Sequence, residues 1–497
     1  MKPRICIPVC VARASELAPA FARAAQLADI VEIRLDYLQQ AELAPALAAL
    51  RALLADAARP VILTRRILEQ GGQSDFSALE APDFWRQTAV GLAWRDMEGD
   101  WLPDADALPQ VIASHHDFNG TPNNLTKIYE RLATTGAGVL KIAVTAHDIT
   151  DCLPVFQLLQ RAAQEGRPLI ALAMGEAGLL TRVLGPAFGS WLTFAALDDT
   201  QRTASGQFRA DELRDLYRFA EITRETPVYG LIGWPVSHSL SPQVHNRALA
   251  AQNLPGVYLP LAVRDVDAFM RRMAQPATRE LNWNLRGLSV TAPHKQAVMP
   301  HLDWVSPEAK AIGAVNTIVL TDSSLRGYNT DATGFIASLR EVYRDLRDAR
   351  GAVLGAGGAA RCAVWALRQA GAEVTIMARD ETRATALAQE FGATAGHWGQ
   401  TLSDFDIVVN ATPLGTRGPL ENDTPANAAQ LSGVRLAYDL VYNPRLTPFL
   451  QEAQAAGCAI LGGLPMLVSQ AAAQFSLWTN HDAPLAVMRQ AAQDAIS

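Results

Sequence analysis

Lys141 sits in the middle of an apolar run, Val139-Leu140-Lys141-Ile142-Ala143-Val144. An amine there is costly unless it is paired or functional. Near other cations it loses its proton more readily and can attack a carbonyl as a neutral nucleophile. A lone lysine of this kind is more often a snorkelling stem. His116 changes that weighting, because it ends the preceding apolar run in Ser114-His115-His116-Asp117-Phe118. Imidazole titrates near neutral pH and can carry protons to and from an imine and a leaving hydroxyl. Strand alternation turns only one of the two histidines inward, and His116 is the one expected.

A second set of residues suits hydride transfer. Val353-Leu354-Gly355-Ala356-Gly357-Gly358-Ala359-Ala360-Arg361 is a G-x-G-x-x-A turn between a strand and a helix. Such glycines let a pyrophosphate approach a helix N-terminus. Alone the motif is weak, but strand, helix and second strand follow in the right order. Asp380 follows that second strand, between Arg379 and Arg383. An acid there binds the ribose hydroxyls of NAD, and arginine accommodates the 2′-phosphate of NADP. Two cations against one anion favour NADP, with NAD left open. Ketone reduction also needs a proton donor and groups that grip hydroxyls. Lys295 with Asp331 can supply the first, and Ser239, Ser241, Thr291 and Asn316 the second. Read singly, each of these motifs is a turn, a cap or a strand end.

The elements that must position these residues follow from periodicity. Eight short apolar runs occupy the first 225 residues, most of them separated by Ala/Leu/Arg-rich helical stretches. They begin at Ile5, Ile30, Val61, Leu92, Gln110, Val139, Pro168 and Trp191. Eight strands of this kind imply a parallel (β/α)8 TIM barrel, with its active site at the C-terminal strand ends. Glu32, Arg34, Arg66, His116, Lys141 and Arg182 are expected at those ends. The remainder predicts an α/β module ending in a Rossmann-type dinucleotide-binding domain.

Composition agrees with two or more folded domains: 497 residues, 49% hydrophobic and 19% charged, net charge -7. The negative charge argues against nucleic acid as a partner. No apolar run reaches a membrane span. The N-terminus reads as a strand rather than a signal peptide, and no extension ahead of it suggests a plastid precursor. Five scattered cysteines fit a reducing, cytoplasmic compartment with no disulfide framework and no metal site.

The first set of motifs resembles the type I 3-dehydroquinate dehydratases. E-I-R-L-D, T-R-R-x-x-x-Q-G-G, S-H-H-D-F, L-K-I-A, A-M-x-x-x-G-x-x-T-R and T-A-S-G-Q occur in that family's order over roughly residues 4–215. The resemblance implies a Schiff base between Lys141 and the C3 ketone of 3-dehydroquinate. It makes His116 the general base and acid, and Arg182 the carboxylate clamp. Glu32, Arg34, Arg66, Thr203 and Gln207 would hold the rest of the ring. Three positions depart from the pattern: Gln70 for a glutamate, Thr203 for a serine and Leu172 for a methionine.

The second set, with N-A-T-P-L-G, Y-D-L-V-Y and G-L-P-M-L-V-S-Q, resembles shikimate dehydrogenase over about residues 228–490. The resemblance implies Lys295 as acid/base with Asp331 its partner. Ser239, Ser241, Thr291, Asn316, Tyr442 and Gln470 would contact shikimate. Gly355, Ala356, Gly357, Gly358, Ala359, Arg379, Arg383, Asn410, Thr412, Leu440 and Gly463 would surround the cofactor. Ser289 replaces a usual asparagine. The expected domains are a barrel over 1–225, a substrate-binding domain over 226–340 completed by helices in 466–497, and a nucleotide-binding domain over 341–465. The expected chemistry is conversion of 3-dehydroquinate to 3-dehydroshikimate and then to shikimate. A catabolic NAD-dependent quinate/shikimate dehydrogenase and a non-catalytic ligand sensor are the rivals.

Overall fold

The computed structural model describes residues 2–55, 57–73, 80, 83–85, 88, 93–102 and 108–496. The chain forms two compact units, one of residues 1–227, 259–274 and 278–284, the other of residues 228–258, 275–277 and 285–497.

In the first unit eight strands form one sheet in the order β7-β6-β5-β4-β3-β2-β1-β8. They are β1 (Ile5–Val9), β2 (Ile30–Arg34), β3 (Val61–Thr64), β4 (Trp94–Glu98), β5 (Leu108–His116), β6 (Ala137–Thr145), β7 (Leu169–Met174) and β8 (Thr193–Phe194). Neighbouring strands in that order pair in parallel. β7 meets the segment before β8 through an isolated parallel bridge, Leu169 to Ser190, so the barrel is nearly closed. All eight expected strands are present. Leu92, where the fourth was expected to begin, lies outside the described residues.

The helix Cys152–Gln164 shows why the outer layer forms. Val155, Phe156, Leu159 and Ala162 recur at helical spacing and are buried. The expected placement of six polar residues at strand ends needs correction. Glu32 and Lys141 lie inside β2 and β6, Arg66 stands two residues beyond β3, and Arg182 sits on the helix Leu179–Leu184 after β7. Arg34 and His116 do end their strands.

The second unit carries a mixed sheet, to which residues 259–262 also contribute, and a parallel one. The mixed sheet runs β10-β9-β11-β13-β14-β12, with β9 (Val228–Gly233), β10 (Val257–Ala262), β11 (Leu285–Val290), β12 (Trp304–Val305), β13 (Thr317–Leu320) and β14 (Leu325–Tyr328). The parallel sheet comprises β15 (Arg350–Leu354), β16 (Glu373–Met377), β17 (Thr394–Ala395), β18 (Ile407–Asn410), β19 (Leu436–Asp439) and β20 (Ala459–Leu461). Its order, β17-β16-β15-β18-β19-β20, is that of the dinucleotide-binding fold. The helix Leu464–Thr479 crosses Asp331–Val342 at Gly334, where an added Cβ would stand 2.9 Å from Gln470 N and Met466 O. Among the described residues no helix is long and apolar enough to cross a membrane.

Candidate active sites

A cavity opens at one end of the barrel. Its lining includes all eight residues expected there: Glu32, Arg34, Arg66, His116, Lys141, Arg182, Thr203 and Gln207. Gln70, Leu172 and Met174 line it too. Strand register brings Lys141 beside Ser114 and His116 beside Ala143, so β5 and β6 deliver base and amine to one wall.

Burial first, then the Arg66 and Lys141 charges, holds His116 well below the usual imidazole range. It is therefore neutral at physiological pH and able to accept a proton. Its Nδ1 is buried without a hydrogen-bond partner among the described residues, and its backbone N–H donates to Gln70 Oε1 at 3.1 Å. Arg182 is 1% exposed, and its Nε and one Nη have no hydrogen-bond partner among the described residues. Burial lowers its pKa to about 10, so it stays charged at neutral pH. A buried guanidinium without its own carboxylate is a site for a substrate anion.

The other polar groups are already partnered. Arg34 donates twice to Asp36, at 2.9 and 2.7 Å. Thr64 donates to Glu32 at 2.6 Å, and Thr203 N–H to Gln207 Oε1 at 2.9 Å. Arg66 donates to Glu98 at 2.5 Å and Ser114 at 2.8 Å. Lys141 Nζ lies 2.7 Å from Asp96 Oδ2 and 4.5 Å from the Phe194 ring centre. The sequence reading placed Lys141 among cations and missed this carboxylate partner. The overlooked signal is Trp-Arg-Asp-Met-Glu in β4, where Asp96 and Glu98 alternate onto one face.

In the reductase half Lys295 Nζ lies 2.5 Å from Asp331 Oδ2. Burial opposes the ammonium charge, but Asp331 outweighs it and raises the Lys295 pKa. Asn316 Nδ2 donates to Asp331 Oδ1 at 2.7 Å and to Thr330 Oγ1 at 3.0 Å. Its Oδ1 accepts from Thr317 Oγ1 and Thr330 N–H, each at 2.7 Å. Asn316, expected to contact substrate, thus already holds Asp331 in place. Gln470 Oε1 is 3.5 Å from Asn316 Nδ2, which joins it to the group. Ser239 and Ser241 bond each other at 3.2 Å at the start of Ser241–Ala251. Thr291 follows β11 and donates its N–H to Ile232 O. Tyr442 has no hydrogen bond to the Lys295 group among the described residues.

The glycine turn fits a dinucleotide. Gly355 has φ +120°, and an added Cβ would stand 2.9 Å from Ala411 O. The helix Gly358–Gln369 starts at Gly357 with no side-chain cap, leaving its first amides for a phosphate. Ala356 and Ala359 complete the turn. A Cβ on Gly358 would stand 3.5 Å from Lys295 Cδ, which puts the turn against the Lys295 side chain. Asp380 caps Glu381–Phe391 by accepting Arg383 N–H, and its other oxygen lies 3.3 Å from Arg383 Nε. Arg379 is exposed and has no ion pair among the described residues.

One carboxylate organises the rest of that rim. Asp439 accepts from Val441 N–H and Asn410 Nδ2 at 2.9 Å, and from Thr447 Oγ1 at 2.5 Å. Asn410 Oδ1 in turn accepts from Thr412 N–H and Oγ1. Leu440 N–H donates to Asn410 O. Gly463 approaches so closely that a Cβ would stand 2.4 Å from Leu440 O. The sequence reading named Asn410, Thr412, Leu440 and Gly463 and passed over the acid that ties the first three together.

Burial raises Asp439 from 3.8 to about 6. A raised carboxyl pKa makes the folded state the better proton binder, so stability falls as pH rises from about 4 to 6. The penalty above that window is about 3 kcal/mol. Asparagine can accept from Val441 and Asn410 and donate to Thr447. Asp439→Asn should therefore raise the unfolding temperature at about pH 7.5, with the gain shrinking toward about pH 4. Calorimetry at both pH values checks this. A variant less stable at both would show that the charge itself is needed.

These two sites on these folds define a barrel enzyme joined to a nicotinamide-dependent reductase. Comparison with known families agrees. The model for type I 3-dehydroquinase matches residues 5–224. Those for the shikimate dehydrogenase substrate-binding domain, shikimate/quinate 5-dehydrogenase and the shikimate 5′-dehydrogenase C-terminal domain match 231–318, 338–427 and 463–493. A chloroplastic bifunctional 3-dehydroquinate dehydratase/shikimate dehydrogenase of Arabidopsis thaliana is 35% identical, covering 97% of this chain and 82% of that one. A shikimate dehydrogenase (NADP+) of Carboxydothermus hydrogenoformans is 41% identical over 54% of this chain and 98% of its own. A crystal structure of shikimate dehydrogenase with NADP+ is 34% identical, covers 56% of this chain and 98% of that one, and has a TM-score of 0.52. The chain belongs to the bifunctional 3-dehydroquinate dehydratase/shikimate dehydrogenase family.

Proposed function

We propose that this protein dehydrates 3-dehydroquinate to 3-dehydroshikimate in the barrel and reduces that product to shikimate with NADPH in the second half. One observation carries the reading: amine, neutral imidazole and unpaired buried guanidinium share one barrel-end cavity. Arg182 takes the substrate carboxylate, and Lys141 Nζ attacks the C3 ketone, releasing water to form an imine. The imine withdraws electrons from C2, so His116 can remove a C2 proton and then protonate the departing C1 hydroxyl. Glu32, Arg34, Arg66, Thr203 and Gln207 hold the ring. Hydrolysis of the new imine frees Lys141 and the product.

In the second half bound NADPH supplies the hydride. Lys295 delivers the proton to the developing alkoxide, and solvent then returns one to the amine, which the negative charge of Asp331, held by Asn316, favours. Ser239, Ser241, Thr291, Tyr442 and Gln470 grip hydroxyls and carboxylate. NADP is favoured over NAD because Arg383 N–H and Nε lie against the two Asp380 oxygens, whereas exposed Arg379 has no ion pair among the described residues and can meet a 2′-phosphate. The five free cysteines fit a cytoplasmic location.

The test supplies purified protein with 3-dehydroquinate and NADPH and follows nicotinamide absorbance. NADPH oxidation with shikimate appearing is the expected result. A signal only when 3-dehydroshikimate is added would mean an impaired barrel and implicate Gln70. Silence with both substrates and both nicotinamides would favour a ligand sensor, and faster reaction with NAD and quinate the catabolic enzyme.

A further inference from the structure

Two buried cations that line the barrel cavity, Arg66 and Lys141, meet two buried carboxylates, Asp96 and Glu98. Glu98 and Ser114 already satisfy one Nη of Arg66. Asp96 does more than complete that pair. Its Oδ2 lies 2.7 Å from Arg66 and equally 2.7 Å from Lys141 Nζ, while its Oδ1 is buried with no hydrogen-bond partner among the described residues. Strand register explains the meeting. Asp96 on β4 is level with Ile112 on β5, and Ser114, two residues further on, is level with Lys141 on β6. The two side chains therefore reach toward each other across the inner face of β5.

From this geometry, and resting on the imine reading of Lys141 above, we propose that Asp96 is a further catalytic residue: its Oδ2 accepts the N–H of the Lys141 imine and serves as that cation's counter-ion. The balance is simple. Nζ forms a bond to the ketone carbon, the carbonyl oxygen leaves as water, and the nitrogen keeps one N–H and one positive charge. That single N–H points at Asp96, which fixes the C=N axis and hence the ring. A protonated imine is the strong electron sink that loss of the C2 proton requires, and a carboxylate at hydrogen-bond distance keeps it protonated. Arg66, Lys141 and His116 all face Asp96, and Arg66 and Lys141 foremost keep it ionised against the cost of burial. Glu98, on the far side of Arg66, and Glu32 are the nearby acids that compete for cation.

The test measures dehydratase kcat and KM from about pH 6 to 9 for the native protein, Asp96→Asn and Asp96→Glu. Mass spectrometry after borohydride reduction with 3-dehydroshikimate detects the adduct. For Asp96→Asn the expectation is a kcat fall on the order of 100-fold with KM within about threefold. The residual rate should rise toward acid pH, because the imine must now take its proton from solvent. Asp96→Glu should recover much of the rate and the native pH profile. A structural role alone would move neither the profile nor its rescue. Native kcat and profile in Asp96→Asn would overturn the proposal. Should that variant fail to fold, the native protein decides: reduction of its preformed adduct should stay flat with pH, and loss of reactivity through neutral pH would overturn the proposal. No adduct on Lys141 in the native protein would instead sink the imine reading beneath it.

Discussion

Lys141→Met should abolish dehydration of 3-dehydroquinate, lowering kcat by at least ~10⁴-fold, while reduction of added 3-dehydroshikimate by NADPH stays within about twofold. The size of the loss follows from what the amine does. Without a covalent electron sink, the C2 proton has to leave a substrate whose ketone is activated by hydrogen bonds alone. His116 and Arg182 would still bind and polarise the ring, so a small residual rate persists. Methionine fills the volume of the stem, and Asp96 keeps its ion pair with Arg66, so no buried charge is left alone. The barrel should accordingly fold. Separate assays of the two steps, with borohydride trapping as the covalent readout, check the prediction. Dehydration within tenfold of native would remove Lys141 from the chemistry.

Lys295→Met should have the mirror effect: shikimate formation falls on the order of 10³-fold and dehydration is untouched. Asp331→Asn is the more informative partner. In the native protein Asp331 raises the Lys295 pKa, so the proton donor remains charged well above neutral pH. Removing that carboxylate charge lowers the pKa. The reduction rate should then begin to fall at lower pH than in the native protein. Shikimate oxidation, which needs the free amine, should gain at lower pH. Measuring both directions across pH separates this from simple damage, which would depress both equally. A parallel loss in the two directions would count against Lys295 as the proton donor.

Much of this was legible in the residues because it is local. A parallel barrel announces itself through eight short apolar runs interleaved with helices, since strands covered on both faces need apolar residues throughout. Lys141 stood out because a charge interrupts such a run. The glycine turn could be placed because strand, turn and helix are contiguous in the chain. Arg182 was misplaced by a few residues, since the boundary between a strand end and a following short helix carries little periodic signal.

What remained hidden is what depends on register and closure. Asp96 looked like any acid in a strand until β4, β5 and β6 aligned it with Lys141. Asn316 read as a substrate contact, and only the fold showed that its amide also bonds Asp331 and Thr330. Asp380 read as a possible ribose contact, and only the fold showed that it caps a helix. The amino-acid sequence by itself determined which chemical groups the protein owns and which elements carry them. Only the tertiary structure decided which groups face each other, because pairings across strands and lobes are fixed by packing and strand register, and no local pattern encodes those.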